Sequence, residues 1–249
     1  MKIKVITLFP AMVETVLEES LLGKARAKGI LSIDVVNLRD FTEGRHQVAD
    51  DYPYGGGAGM VLKPEPIFRT VESLKKELPD ARVIYLSPQG ERFDHEMAQS
   101  LAADTRPQIF LCGRYEGIDE RARVALVDRE ISIGDYVLNG GELAALVVIE
   151  AAARFVPGVL GDDRSADQDS FSDGLLDYPH FTRPPDFEGM KVPEVLLSGN
   201  HENIRVWRRK EALRATWLKR PELLTRMEQE GRLSAEDMRF LREISGTDA

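Results

Sequence analysis

Three apolar runs that end in glycine-rich loops are the first places where this chain could organise chemistry. Arg82–Leu86 leads into Ser87-Pro88-Gln89-Gly90, and Gln108–Cys112 leads into Gly113-Arg114-Tyr115-Glu116-Gly117. Glu130–Ile133 leads into Gly134-Asp135-Tyr136-Val137-Leu138-Asn139-Gly140-Gly141-Glu142. Backbone amides and carbonyls laid open by glycine suit a polar but bulky ligand, for example an adenosine derivative. Charged groups follow downstream. Arg154 closes a long apolar run, and a cation at such a place needs a partner or a purpose. Between positions 161 and 177 six aspartates face one arginine, and the spacing singles out none of them. Residues 200–226 then hold eight Lys/Arg against three acids, in a chain whose net charge is −9. A basic patch on an acidic body suits a phosphate backbone, although a solvated helix face is the commoner explanation of such a stretch. Together the features suggest an enzyme that modifies nucleic acid.

Other chemistries lack their framework. No Gly-x-Gly-x-x-Gly follows the first strand, which lowers the odds of an ordinary dinucleotide fold. Tyr54-Gly55-Gly56-Gly57-Ala58-Gly59-Met60 lacks the Gly-Lys-Ser/Thr ending of an ATP-binding loop, and residues alone leave it either a ligand loop or a flexible surface loop. His46, His95, His180 and His201 are scattered, so zinc has no ligand framework. No serine sits in a nucleophile elbow. The single Cys112 forms no internal disulfide, reads as a small core residue, and fits a reducing cytoplasm. No apolar run nears 18 residues, so no membrane span is expected, and the N-terminal apolar run is too short for a signal peptide.

The elements that must position these residues follow from periodicity. Apolar runs without polar alternation suit strands buried on both faces of a parallel sheet, whose loops would converge on one crevice. Ile3–Leu8 starts a β-α-β unit. Its helix opens at Pro10 with Met12, Val13, Val16, Leu17 and Leu21 at helical spacing, and Leu31–Leu38 is the second strand. A helix from Pro64 to about Leu78 precedes the three runs, and 94–103 and 118–126 separate them as helices. Leu143–Phe155, apolar almost all round, reads as a buried helix. The acidic stretch 161–177 reads as a linker that orders when a partner arrives. Beyond it a helix over His201–Leu218 puts Val206, Leu213 and Trp217 on one face and Arg205, Arg208 and Lys219 opposite. Two short helices close the chain over Pro221–Ile244, the second capped at Ser234.

At its loops the sequence resembles the bacterial tRNA (guanine-N1)-methyltransferases, the TrmD family. The words that carry the resemblance are Leu86–Gly90, Leu111–Arg121, Ile133–Glu142, Tyr54–Met60, Arg154–Gly161, Asp169-Ser170-Phe171, Leu175–Pro184 and Leu197–His201. They occur in order through nearly the whole chain. Ala144 departs from them, standing where many relatives carry proline, but removes no functional group.

The resemblance implies a SPOUT-type α/β fold, a parallel sheet with a deep trefoil knot around the three loops, plus a small, mostly α-helical C-terminal domain. The implied divisions are a knotted methyltransferase domain over 1–160, an acidic linker over 161–176, and a tRNA-binding domain over 177–249. It implies S-adenosyl-L-methionine as cofactor, a homodimer with shared active sites, and the tRNA anticodon stem-loop as substrate. The product would be N1-methylguanosine 3′ of the anticodon, at position 37, which supports reading-frame maintenance. Asp169 matches the family's general base for the N1 proton, and Arg154 matches the cation facing charge on O6. Leu86, Ser87, Pro88, Gln89, Gly113, Tyr115, Glu116, Gly117, Ile133, Gly134, Asp135, Tyr136, Val137, Leu138, Gly140 and Gly141 match cofactor-loop positions. Mg2+ is implied too, with Glu116 and Asp169 as candidate oxygen donors. For RNA the tail offers Arg205, Arg208, Arg209 and Lys219. Two readings compete. Methylation of another RNA position by the same fold is opposed by the acidic stretch around Asp169. A silent RNA-binding protein is opposed by the intact Arg154 and Asp169.

Overall fold

Strand β1 (Lys2–Thr7) pairs in parallel with β2 (Ser32–Asn37). Short strands β3 (Asp50–Asp51) and β4 (Val61–Leu62) pair antiparallel and close the glycine-rich loop between them. β5 (Arg82–Arg92), β6 (Gln108–Cys112) and β7 (Arg129–Ser132) complete a five-stranded parallel sheet in the order β2-β1-β6-β5-β7. The strands are apolar on both faces because both are covered. Ile3, Val5, Ile84, Leu86, Phe110 and Cys112 face helices α1 (Pro10–Leu17), α2 (Ser20–Ala27), α4 (His95–Ala103) and α6 (Glu142–Ala153). Ile6, Val83, Tyr85, Ile109 and Leu111 face α3 (Pro64–Glu77) and α5 (Glu120–Leu126). Full burial of side chains such as Phe110 and Ile109 contributes about 1.5–3 kcal/mol each.

This computed structural model describes residues 1–161 and 169–246, and the chain divides into two compact units, Met1–Asp163 and Arg164–Ala249. The second unit contains a two-stranded hairpin, β8 (Asp186–Phe187) with β9 (Met190–Lys191), and a helical turn α7 (Glu194–Leu197). Helices α8 (His201–Lys219), α9 (Pro221–Gln229) and α10 (Ala235–Ser245) build its core around Leu213, Leu224, Met227 and Phe240. Asn200 caps α8 by accepting from the Asn203 amide, and Ser234 with Asp237 forms a capping box on α10.

Several expectations are corrected. The helix opening at Pro10 breaks after Leu17, and α2 begins at Ser20. Val13 and Leu17 are buried, but Met12, Val16 and Leu21 are exposed. Helix α6 is not buried all round, since Leu143 and Val147 lie at the surface. On α8 only Leu213 of the expected apolar face is fully buried, because α9 and α10 cover the middle of the helix and leave Val206 and Trp217 partly open. Ser87–Gly90 is not the end of a strand. It is an excursion within β5, which pairs with Ile131 of β7 through Leu86 and again through Glu91. Residues 162–168 of the expected acidic linker lie outside the described residues. The described remainder, 169–176, is tied to the helical unit: Leu175 is buried in its core and the Leu176 amide donates to Thr216 Oγ1 at 2.9 Å.

Candidate cofactor pocket and acid–base segment

The three loops do converge. They enclose a cavity of about 410 Å³ beside the excursion within β5 and the carboxyl ends of β6 and β7. Its first wall is Leu86 to Gln89, its second Gly113 and Tyr115 to Gly117, and its third Ile133, Gly134, Tyr136 to Leu138, Gly140 and Gly141. Asp135 is the cofactor-loop residue that does not line it. Tyr85, Arg114, Ser132 and Asn139 line it too and were missed. Arg114 and Asn139 stand inside the loop words and Tyr85 and Ser132 next to them, so position was their signal.

Glycine is required where the walls meet. A Cβ on Gly141 would come 2.8 Å from Cys112 Cα, and one on Gly113 2.8 Å from Tyr85 Oη. The Gly141 amide donates to the Gly113 carbonyl at 2.9 Å, so the second and third loops are hydrogen-bonded to each other. The glycine-rich loop joins them: the Glu116 amide donates to Met60 O at 3.0 Å and the Leu62 amide to Gly117 O at 3.0 Å. Tyr85 sits at the floor, its hydroxyl pKa raised by burial and by the charge of Glu130. Cys112 is buried, and burial with the Glu142 charge holds its thiol well above the usual range, so it is not a nucleophile.

Behind the second and third loops lies a buried carboxylate. Glu142, 1 % exposed, accepts at Oε1 from Thr7 Oγ1 at 2.7 Å and from Arg114 Nε at 3.4 Å, and its Oε2 lies 3.2 Å from the same Nε without a hydrogen bond. Arg114 also donates to Asn139 O at 3.2 Å and lies 4.2 Å over the Phe9 ring. One side chain thus clamps both loops to β1.

Arg154 is the C-cap residue of α6 and half-buried in the first unit. Asp169 belongs to the second unit, at the start of a turn. Its carbonyl accepts from the Ser172 amide at 3.3 Å, Phe171 N donates to Leu175 O at 2.7 Å, and Asp177 N donates to Ser170 Oγ at 2.9 Å. The turn is anchored by Arg209, which reaches Asp173 at 2.8 Å and holds the buried Asp237 through two bonds of 3.1 and 2.9 Å. Burial works to raise the Asp237 carboxyl, but the Arg209 and Ser234 hydrogen bonds outweigh it and hold the pKa below the ordinary carboxylate value. Arg205, Arg208 and Lys219 are exposed, so Arg209 alone of the four tail cations is committed to the unit's interior. Among the described residues no three His, Cys, Asp or Glu gather to hold a metal ion, and Glu116 and Asp169 belong to different units.

The family model described as tRNA (Guanine-1)-methyltransferase TrmD matches residues 1–226. Relatives named tRNA (guanine-N(1)-)-methyltransferase include one from Dictyoglomus turgidum, 55% identical over 98% of this chain and 96% of its own. One from Anoxybacillus flavithermus is 59% identical over 90% of this chain and 91% of its own. One from Geotalea uraniireducens is 53% identical over 98% and 97%.

Proposed function

The chain belongs to the TrmD family of tRNA (guanine-1)-methyltransferases, and from that premise we propose that it transfers a methyl group from S-adenosyl-L-methionine to N1 of the guanosine 3′ of the anticodon, position 37, in tRNA. The observation that carries the reading is the cavity assembled from the three glycine loops, where a side chain on Gly141 would collide with the Cys112 backbone. A cavity of about 410 Å³ lined by Gly113, Gly117, Gly134, Gly140 and Gly141, with Leu86, Ile133 and Leu138 as apolar lining, fits an adenosine-bearing ligand. When bound, S-adenosylmethionine supplies an electrophilic methyl group on a positively charged sulfur.

The chain's own groups do the rest. N1 of guanine carries a proton at neutral pH and is a poor nucleophile until that proton leaves. Asp169 takes it as the general base. Charge then gathers on O6, and Arg154 faces it as the stabilising cation. Mg2+ finds no ready-made donor set among the described residues. Arg205, Arg208 and Lys219 hold the phosphate backbone.

The reading extends to a deep trefoil knot of the SPOUT type through the three loops. It extends also to a cytoplasmic homodimer that shares its active sites, the pocket of one subunit completed by the Asp169 segment of the other. Helices α1 and α6 pack together and leave Phe9, Met12, Val16, Leu143 and Val147 exposed, an apolar face that suits a second copy. Incubating the protein with S-adenosylmethionine and a tRNA transcript carrying guanosine at positions 36 and 37, then analysing the nucleosides, tests the reading. N1-methylguanosine is expected, and its absence refutes it. Asp169→Asn is expected to abolish transfer while binding the cofactor as before, and full turnover by that variant would remove Asp169 from its role.

A further inference from the structure

Beside the turn that carries Asp169, three side chains form a continuous cation–aromatic–imidazole array. The Arg208 guanidinium lies over the Tyr178 ring, 4.8 Å from its centroid, and the His180 ring centroid is 4.7 Å from that of Tyr178. The His180 side chain is 66% exposed, so it contributes little to the core. Yet its orientation is set, because Nε2 lies 2.7 Å from Asp177 Oδ2. Asp177 is itself held: Oδ1 accepts from the Tyr178 amide at 2.7 Å, and its own amide donates to Ser170 Oγ at 2.9 Å. The residue that orients the imidazole therefore also closes the turn that begins at Asp169. An exposed ring held in one orientation and joined through Tyr178 to an exposed arginine is suited to receive a flat, electron-rich partner with a phosphate attached.

We propose that His180, backed by Tyr178 and Arg208, is a stacking platform for the nucleobase that flanks the target guanosine. This inference rests on the RNA-methylating reading above. A base whose N1 must be reached by a carboxylate has to leave its stack, and its neighbours then lose a stacking partner. A ring at a set place beside the catalytic turn replaces that partner and keeps the target from restacking. His180 acts here through its π face, and Arg208 through its charge.

The test places 2-aminopurine, in turn, at each of the two nucleotides flanking the target guanosine of a tRNA transcript. The full-length protein is titrated in without the methyl donor, and both affinity and 2-aminopurine fluorescence are read. At one of the two positions the fluorescence of the bound state is expected to be quenched. His180→Ala is expected to weaken binding roughly ten-fold and abolish that quenching, and His180→Phe to restore both. The slope of log Kd against log salt should be the same for all three proteins, since stacking releases no counterions. Unchanged affinity and fluorescence in His180→Ala at both positions would overturn the proposal. So would a His180→Phe variant that behaves like His180→Ala with a shallower salt slope, which would make His180 a phosphate-binding cation. Failure of the wild-type protein to form N1-methylguanosine would count against the methyltransferase reading alone, because the platform is read by binding and fluorescence.

Discussion

Replacing Arg114 with alanine strands a charge. Glu142 is 1 % exposed, and its partners are Thr7 Oγ1 at 2.7 Å and Arg114 Nε at 3.2 Å, with the Arg114 side chain itself only 16% exposed. Removing one member of a buried ion pair costs about 3–5 kcal/mol, because the remaining charge keeps its desolvation penalty without its compensation. Arg114 retains some contact with solvent, which places the expected loss near the lower end, about 3 kcal/mol, including the lost contact with Phe9. The sharper expectation concerns the double variant. Glu142→Gln keeps the Thr7 hydrogen bond but removes the stranded charge, so Arg114→Ala combined with Glu142→Gln should be more stable than Arg114→Ala alone. Trp207 and Trp217 both lie in the second unit, so tryptophan fluorescence reports the wrong region. Urea-dependent hydrogen–deuterium exchange of peptides over 105–118 and 136–154 reads the unit that holds the pair. A loss under about 1 kcal/mol in Arg114→Ala, as for a surface pair, would refute the reasoning, as would a double variant whose loss equals the sum of the singles. Because Arg114 also clamps the second and third loops, affinity for S-adenosylmethionine should fall with stability.

Three further predictions concern other parts of the molecule. Val147→Glu places a charge in the exposed apolar face of α1 and α6, and sedimentation should show a dimer converted to monomer; an unchanged dimer would put the interface elsewhere. Arg205→Ala with Arg208→Ala should weaken tRNA binding and make the log–log salt slope shallower by about 1–2, while an unaltered slope would move the phosphate contacts to other residues. The Asp237 carboxyl is held below its ordinary value in the folded unit, so its contribution is complete above the unfolded carboxylate pKa and is lost as pH falls through the depressed value. Urea unfolding followed by tryptophan fluorescence from pH 6 to pH 2 should show that acid loss, and Asp237→Asn should cost about 2 kcal/mol at pH 6 and flatten the profile; an identical profile in the variant would contradict the assignment.

Much of this protein is determined by short-range pattern. Val83–Leu86 and Ile109–Cys112 are buried throughout and alternate between the two core clusters, as strand geometry dictates, so a doubly covered parallel sheet was legible from apolar runs alone. The cap at Ser234 was legible for the same reason, because a cap is satisfied within four residues. The loop words also located the cavity, Asp135 excepted.

What tertiary structure decided depends on partners far apart in sequence. Glu142 reads as one acid among many until Thr7, 135 residues away, and Arg114 are brought to it. Arg209 reads as a basic residue for RNA until the fold turns it toward Asp173 and Asp237, a commitment set by how α10 docks on α8. Met12, Val16, Leu143 and Val147 have the spacing of core residues, and only the packing of α1 on α6 leaves them at the surface. Periodicity fixes which residues share a face, but what that face meets is a property of the whole chain.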